Sequence, residues 1–319
     1  MKVFMDATDI GILRIMGLRP YGQVPKDMNS FKASFIAKKI GVEPKTAKAR
    51  IRQMEKAGFI RFYQIYPNFA HLNMSGSGYL FNVKDEDRKQ EIIKRIGMVD
   101  ELFEIHDFMG KELCVDLGFH TNHDLDKKIG LLREFTGDPK PICFYHRHMP
   151  TVNRKLSITD WRIIKALRHN ALEPLGKISK KLNITLKTAK RRADRMAGEG
   201  SFFIVPALDP SKARGLMLFE LLVYTNPKAD SKTIRQILEA TKDNYVYHYI
   251  PASTKLGNFD MILFTDSTGK IQELKQKIDR IQGVSRTRAL ILQGWFDYTD
   301  WIDSTIDHQI SALVQNREN

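Results

Sequence analysis

The property that most limits what this chain can fold into is that it repeats itself. Thr8-Asp9 returns 151 residues later as Thr159-Asp160, and Lys45-Thr46-Ala47-Lys48 returns 142 residues later as Lys187-Thr188-Ala189-Lys190, with apolar residues matching in between. The nine-residue difference between those spacings falls in a stretch confined to the first copy, around Arg19-Pro20-Tyr21-Gly22-Gln23-Val24-Pro25, whose proline and glycine content reads as a loop. A tandem duplication must bury the same apolar faces twice, so whatever folds one copy folds the other.

Each copy divides into a helical part and a strand-rich part. In the first, Ala7–Met16 and Phe31–Ile40 have helical spacing, and a third helix is expected from about Pro44 to Ala57. Glu43 stands where a cap belongs and Pro44 suits the first turn, while Ala47, Ile51 and Met54 mark one buried face and Gly58 ends the helix. Phe59–Ile65 then alternates as a short strand or wing would. The second copy reads likewise: Thr159–Arg168, Lys177–Leu182, a turn at Asn183, then Leu186–Ala197 capped by Thr185, with Ala189, Ala193 and Met196 buried. Three helices with a short turn between the second and third, followed by a strand, predict a winged helix-turn-helix.

The remaining halves follow a strand, helix, strand, strand, helix, strand order, with strands at Tyr79–Val83, Leu102–His106, Leu113–Phe119 and Ile142–His146 in copy one and Leu216–Tyr224, Tyr245–Ile250, Phe259–Thr265 and Val284–Leu292 in copy two. The expected class is α+β: two winged helix-turn-helix domains, at 1–74 and 152–213, alternating with two ferredoxin-like βαββαβ domains, at 76–149 and 215–296. Residues 297–319 close the chain as a helix, with Ile302, Ile306, Ile310 and Leu313 spaced to dock on a neighbouring surface.

Composition excludes several classes. At 42% hydrophobic the chain is too apolar to be disordered, and no stretch approaches the roughly 18 apolar residues of a membrane span. Two cysteines, Cys114 and Cys143, cannot staple 319 residues, and the opening Met1–Asp9 lacks the apolar run of a signal peptide, so a reducing cytoplasm is expected. Both cysteines read as small buried hydrophobes. No metal-ligand spacing is recognisable around His120, His123, His146 or His148, so neither metal nor cofactor is expected.

The net charge is +14, and its distribution is uneven. Residues 1–75 carry +8 and residues 152–214 carry +10, against −3 for residues 76–151 and −1 for residues 215–319. A charge kept for solubility would not avoid the strand halves, whereas a phosphate-binding surface concentrates Lys and Arg where a duplex is touched. Off the apolar stripe of each third helix lie Lys45, Thr46, Lys48, Ala49 and Arg52, and Lys187, Thr188, Lys190 and Arg191. These, with Arg61 on the wing, are the expected contacts to double-stranded DNA. The equivalent Arg50 and Arg192 are placed instead to bridge to Asp9 and Asp160 of the first helices.

Ala37-Lys38-Lys39-Ile40-Gly41-Val42-Glu43-Pro44-Lys45-Thr46-Ala47, followed by Arg50-Ile51, Met54-Glu55 and Ala57-Gly58-Phe59-Ile60, resembles the helix-turn-helix of the Lrp/AsnC (feast/famine) regulators, and the strand half resembles their ligand-sensing domain. The resemblance runs twice along the chain, from about Asp6 to Trp295, with Asn183 in place of the turn glycine in copy two. It implies a transcription regulator of archaeal-like affinity, not an enzyme, with strand domains that pair between chains or between the two halves of one. In that family small molecules, often amino acids, bind near the hairpin between the second and third strands, here Gly257, Asn258, Phe259 and Asp260.

A second resemblance is to the siroheme decarboxylases, enzymes of an alternative haem-synthesis route that share this layout and whose fused forms hold four modules. It implies histidine, tyrosine and arginine around the second and third strands. Tyr247-His248-Tyr249 stands there with Asn258 downstream, yet the basic residue and the tryptophan that the resemblance implies beside it are absent, copy one offers only His106, and the charge on the helical parts weighs against an enzyme.

Overall fold

Residues 2–16, 28, 32–147, 151–249 and 258–318 are described by a computed structural model. The chain forms two compact units, and each draws on both copies. One comprises Ala7–Met74, Met149–Leu208 and Thr299–Asn319; the other comprises Met1–Asp6, Ser75–His148 and Asp209–Tyr298.

The first unit holds both helix-turn-helix motifs: α1 (Ala7–Met16), α2 (Ala33–Ile40), α3 (Pro44–Lys56) and strand β2 (Ile60–Pro67), then α6 (Ile158–Leu167), α7 (Leu175–Lys181), α8 (Leu186–Gly198) and β7 (Phe202–Leu208). The turn before α3 needs a left-handed residue, which Gly41 supplies at φ 76°. Asn183 does the same before α8 at φ 52°, as a short amide side chain permits. Thr185 caps α8, its hydroxyl accepting from the Thr188 amide at 3.1 Å. Glu43 takes the equivalent place before α3 but its side chain makes no cap bond, so there proline at the first turn defines the start. Ala47 and Met54, and Ala189, Ala193 and Met196, are fully buried; Ile51 is half-buried.

The strand after each third helix is not a free wing. β2 pairs antiparallel with β7 from Ile60–Leu208 to Pro67–Phe202, so the two motifs share one ribbon. The C-terminal helix α11 (Trp301–Glu318) lies on α6. Its anchor is Arg168, a guanidinium fully out of solvent that donates to Gln64 Oε1 at 3.1 Å and to the Thr299 carbonyl at 2.7 Å. Lys165 with Asp307 and His169 with Asp303 add exposed pairs.

The second unit holds both strand modules: β3 (Ser75–Asn82), α4 (Lys89–Ile96), β4 (Leu102–Phe108), β5 (Glu112–Phe119), α5 (Asn122–Thr136) and β6 (Ile142–Arg147), then β9 (Met217–Thr225), α9 (Ser231–Thr241), β10 (Tyr245–Tyr249), β11 (Phe259–Thr265), α10 (Thr268–Asp279) and β12 (Val284–Asp297). The short strands β1 (Val3–Phe4) and β8 (Ala213–Arg214) pair at its margin. A single eight-stranded sheet runs β10-β11-β9-β12-β4-β5-β3-β6. Its continuity comes from β12, which runs past the expected end at Leu292: Val284–Ile291 pair with β9, a bulge follows Leu292, and Gly294–Asp297 pair with β4 of the other copy.

One face of the sheet is covered by helices. Phe81, Ile105, Leu113, Val115 and Leu117 pack on Ile92, Ile93, Ile96 and Leu132 in one module, and Phe219, Leu221, Val223, Phe259 and Met261 on Ile237, Leu274 and Ile278 in the other. The alternate residues of each strand form the opposite, inner face. There the two half-sheets turn toward each other: the edge strand β6 lies against β10 and β11, Phe144 meets Tyr224 edge-on at 5.3 Å, and Arg288 on β12 binds Glu112 on β5. The inner faces of the two half-sheets therefore meet within one chain.

Candidate active site

An inner face closed in this way should be apolar, because a buried charge without partners costs several kcal/mol. This one is not. It carries Glu104 and His106 from β4, Cys114 and Asp116 from β5, Glu220 from β9 and Asp260 from β11, each no more than 5% exposed. Cross-strand register explains the grouping, since directly opposed residues share a face. Trp295, His106, Cys114 and Leu80 form one row across β12, β4, β5 and β3, and Asp297, Glu104, Asp116 and Gly78 form the next. On the other half Arg288, Leu222 and Asp260 make one row, and Leu290, Glu220 and Ile262 the next.

Closure brings the rows together. His106 Nδ1 lies 2.9 Å from Glu220 Oε2, 114 residues away in sequence, with Glu104 Oε1 3.9 Å from its other ring nitrogen. The Trp295 indole packs on His106 at 4.6 Å between ring centroids and donates its N–H to Glu104 Oε2 at 2.9 Å. Glu104 therefore fixes the indole and the indole fixes the imidazole. At the margin of the same face Arg286 stacks over Tyr224 at 4.1 Å, and Arg288, 39% exposed, binds Glu112.

Protons make this interior tolerable. Burial pushes the Glu220 carboxyl up to about 7, against the pull of its bond to Asp260, with the Glu104 charge adding to the rise. Asp260 is held well above the carboxylate range, by burial first and then by the charge of Glu220. Two carboxyls facing each other out of water cannot both ionise, so they hold a proton at neutral pH. Among the described residues, His106, Cys114 and Glu220 also bring one ligand atom each within 4.8 Å of one another, which is where a divalent cation would fit. Cys114 is buried as expected, but beside these polar groups rather than in an apolar setting.

At the seam between the modules, Lys89 lies buried with its ammonium 2.6 Å from Asp107 Oδ1 and donating to the carbonyls of Phe108 and Gly110 at 2.5 and 2.6 Å. Gln90 of α4 and Gln293 of β12 both donate to Asp107 Oδ2. This pair ties α4, the β4–β5 hairpin and β12 together.

Of the expected effector residues, the three described ones have different surroundings. Gly257 lies outside the described residues; Asn258 accepts from the Thr225 amide at 3.4 Å; Phe259 is fully buried in the helix-covered core; Asp260 belongs to the interior cluster. Trp295 reaches His106 on β12 from 189 residues away, a juxtaposition that only the strand-to-strand register reveals. Tyr247 and Tyr249 hold the register positions beside Ile262 and Asp260.

The expected DNA-facing residues lie on α3 and α8. Lys45, Thr46, Lys48, Ala49 and Arg52 are exposed, as are Arg61 on β2 and Lys187, Lys190 and Arg191 on α8. Thr188 is half-buried and its hydroxyl accepts from that of Thr185 at 2.9 Å, so it serves its own helix cap. Arg50 bonds Asp9 at 3.1 Å, and Arg192 bonds Asp160 at 2.9 Å, joined there by Arg195 at 2.8 Å. Asp160 is buried, which opposes ionisation, yet Ser157, Arg192 and Arg195 together hold its carboxyl below the usual range.

No known protein-family profile matches the chain, and no curated protein matches it by sequence. Solved structures do. The siroheme decarboxylase NirDL is similar over 98% of this chain and 100% of its own, at 14% identity and a TM-score of 0.55. Its co-complex with an iron-uroporphyrin III analogue is similar over 95% of this chain and 100% of its own, at 14% identity and a TM-score of 0.53. The AsnC protein of E. coli is 18% identical and covers 48% of this chain and 97% of its own, at a TM-score of 0.31. The expectation that the chain is no enzyme is corrected here, because the fold that spans it from end to end is the fold of one. What the chain shares with the decarboxylase, over the full length of both, is an α+β architecture of helix-turn-helix and ferredoxin-like modules.

Proposed function

We propose that this chain is an enzyme that removes CO2 from a carboxylate-bearing side chain of a siroheme-like tetrapyrrole, within the closed inner face of its strand unit. The observation that carries the reading is the imidazole of His106, clamped between Trp295 at 4.6 Å and Glu220 at 2.9 Å inside a sheet closed over a full-length decarboxylase-like fold. The reaction R–CH2–COO⁻ + H⁺ → R–CH3 + CO2 asks three things of a protein. Carboxylates must be received, for which Arg286 and Arg288 stand at the margin of the face. The flat macrocycle must be oriented, and Trp295, Tyr224 and Phe144 offer aromatic surface. The electron pair left when the C–C bond breaks must take up a proton, which the His106–Glu220 pair is placed to deliver from a water-poor interior.

The test is anaerobic incubation of the purified chain with siroheme, followed by mass spectrometry. Loss of one or more CO2 from the substrate, abolished by His106→Ala, is expected. Unchanged siroheme at stoichiometric enzyme would overturn the reading.

A second activity, attachment to double-stranded DNA, is favoured by a separate observation. The exposed Lys45, Lys48 and Arg52 of α3 and Lys187, Lys190 and Arg191 of α8 follow left-handed turns, while Arg50 and Arg192 are tied down by aspartates that fix each third helix. Such surfaces bind phosphate backbone, with bases read by the N-terminal part of the helix. Polarisation of labelled mixed-sequence duplex across a salt series is the measurement. Steep loss of affinity with salt supports it, and no binding at low salt removes it.

A further inference from the structure

Duplication predicts symmetry: if the two halves were chemically alike, the closed face would hold two equivalent sites related by a pseudo-twofold. The register allows this to be checked position by position. Thr121 and Ser267 cap the helices that follow the third strands, so Cys114 corresponds to Asp260 and Asp116 to Ile262. Pairing to the neighbouring strands then matches Leu80 with Leu222 and Gly78 with Glu220, His106 with Tyr249 and Glu104 with Tyr247, and Ile142 with Arg288 and Tyr145 with Leu290.

None of the six charged or imidazole-bearing residues among these matched positions has a like partner at its equivalent position. Copy two contributes Arg288, Asp260 and Glu220 where copy one has Ile142, Cys114 and Gly78; copy one contributes His106, Glu104 and Asp116 where copy two has Tyr249, Tyr247 and Ile262. The positions equivalent to His106 and Glu220 are Tyr249 and Gly78, which carry neither an imidazole nor a carboxyl. Space at that counterpart is taken as well. Tyr145 is 2% exposed, and its ring lies so close over Gly78 that a Cβ there would be 2.2 Å from it. Glycine at 78 is required by the ring, and the ring fills what glycine leaves open.

We propose that the paired halves form one composite ligand site per chain, with its pseudo-symmetric counterpart filled by Tyr145 on Gly78. The number of ligands rests on the tetrapyrrole reading above; the filled half does not. Uroporphyrin III, an iron-free octacarboxylate, serves as the probe in an equilibrium titration of the full chain followed at the Soret band. One equivalent per chain is expected, and two equivalents of equal affinity would overturn the single site.

The second arm needs no ligand. Tyr145→Ala empties a packed volume and is expected to lower Tm by roughly 5–10 °C, Tyr145→Leu by less, while Tyr145→Phe restores it. Should the alanine variant not fold, the leucine variant carries the comparison. An unchanged Tm in Tyr145→Ala or Tyr145→Leu means that the ring fills nothing and overturns the inference whatever the titration gives. No porphyrin uptake by the wild type, together with a lowered Tm in the variant, overturns the substrate reading and leaves the filled half standing.

Discussion

Replacing Glu220 by glutamine tests the interior through its protons. Burial lifts this carboxyl from 4.5 to about 7 in the folded chain. An acid whose pKa is higher folded than unfolded holds its proton more tightly when folded, so folding takes up a proton in that interval. The burial penalty is absent below about pH 4.5, grows as pH rises, and levels off above 7. At ~1.4 kcal/mol per pH unit its ceiling is about 3 kcal/mol. Asp260 is raised partly by the charge of Glu220, so its own penalty relaxes in the variant and adds in the same direction.

Glutamine keeps the shape and a hydrogen-bonding end towards His106 but cannot ionise. Wild type and Glu220→Gln should therefore match closely at pH 5, and the variant should gain by about 3 kcal/mol at pH 8. The readout is available because Trp295 is the one tryptophan of the strand unit, Trp161 and Trp301 belonging to the other. Urea titrations followed by indole fluorescence in a Trp161→Phe, Trp301→Phe background report that unit. A stability difference that stays flat from pH 5 to 8, or that favours the wild type as pH rises, refutes the protonated-pair argument.

Three further outcomes concern the helical unit. Asp160→Ala leaves Arg192 and Arg195 without their carboxylate and removes half of the capping box with Ser157, so a loss of about 2–4 kcal/mol is expected in urea titrations followed by helical circular dichroism. Because that carboxyl is held below 3.8, its contribution is complete near neutrality and fades only as pH falls through its lowered value. Arg168→Met takes one donor from Gln64 Oε1, which still accepts from the Thr299 hydroxyl, and removes the guanidinium from the Thr299 carbonyl; it should cost about 1–3 kcal/mol, seen as faster proteolytic release of α11. At the turns, Asn183→Gly should be neutral or slightly stabilising, whereas Gly41→Val should cost about 1–2 kcal/mol in thermal melts, since only the second forces a branched side chain into a left-handed backbone.

How much of this could be read from the chain alone depends on range. The repeat, the helices, the left-handed turn at Asn183 and the arginine–aspartate ties at 50 with 9 and 192 with 160 were legible, because periodicity and local turn chemistry write them into short windows. Pairing between copies was not. Nothing local says that β2 seeks β7 rather than acting as a wing, or that β12 continues through a bulge at Leu292 to deliver Trp295 beside His106. Phe259 shows the same limit: only register assigns this aromatic to the helix-covered face. The interior acids are harder still, since Glu220 interrupts an apolar run and reads as a solvent-facing residue until the second half-sheet covers it.

The charge census was first set against an enzyme, and the architecture removes the force of that objection. The basic excess lies on the helical unit and the carboxyl–imidazole cluster in the strand unit, so the two chemistries occupy different bodies of the chain and need not exclude each other. If so, they separate on mutation. Lys45→Ala with Lys48→Ala removes two exposed ammonium groups from α3 and should lower the slope of log affinity against log salt by about 1.8, at every duplex sequence, with siroheme turnover unchanged. His106→Ala should do the reverse, abolishing turnover and leaving the salt slope as it was. Loss of turnover in the lysine variant would mean that the basic surface feeds the reaction, for instance by gathering an anionic substrate, and a DNA role would lose its main support. An unaltered salt slope in that variant would strip α3 of its assigned contacts and leave the decarboxylation reading to stand without a nucleic-acid partner.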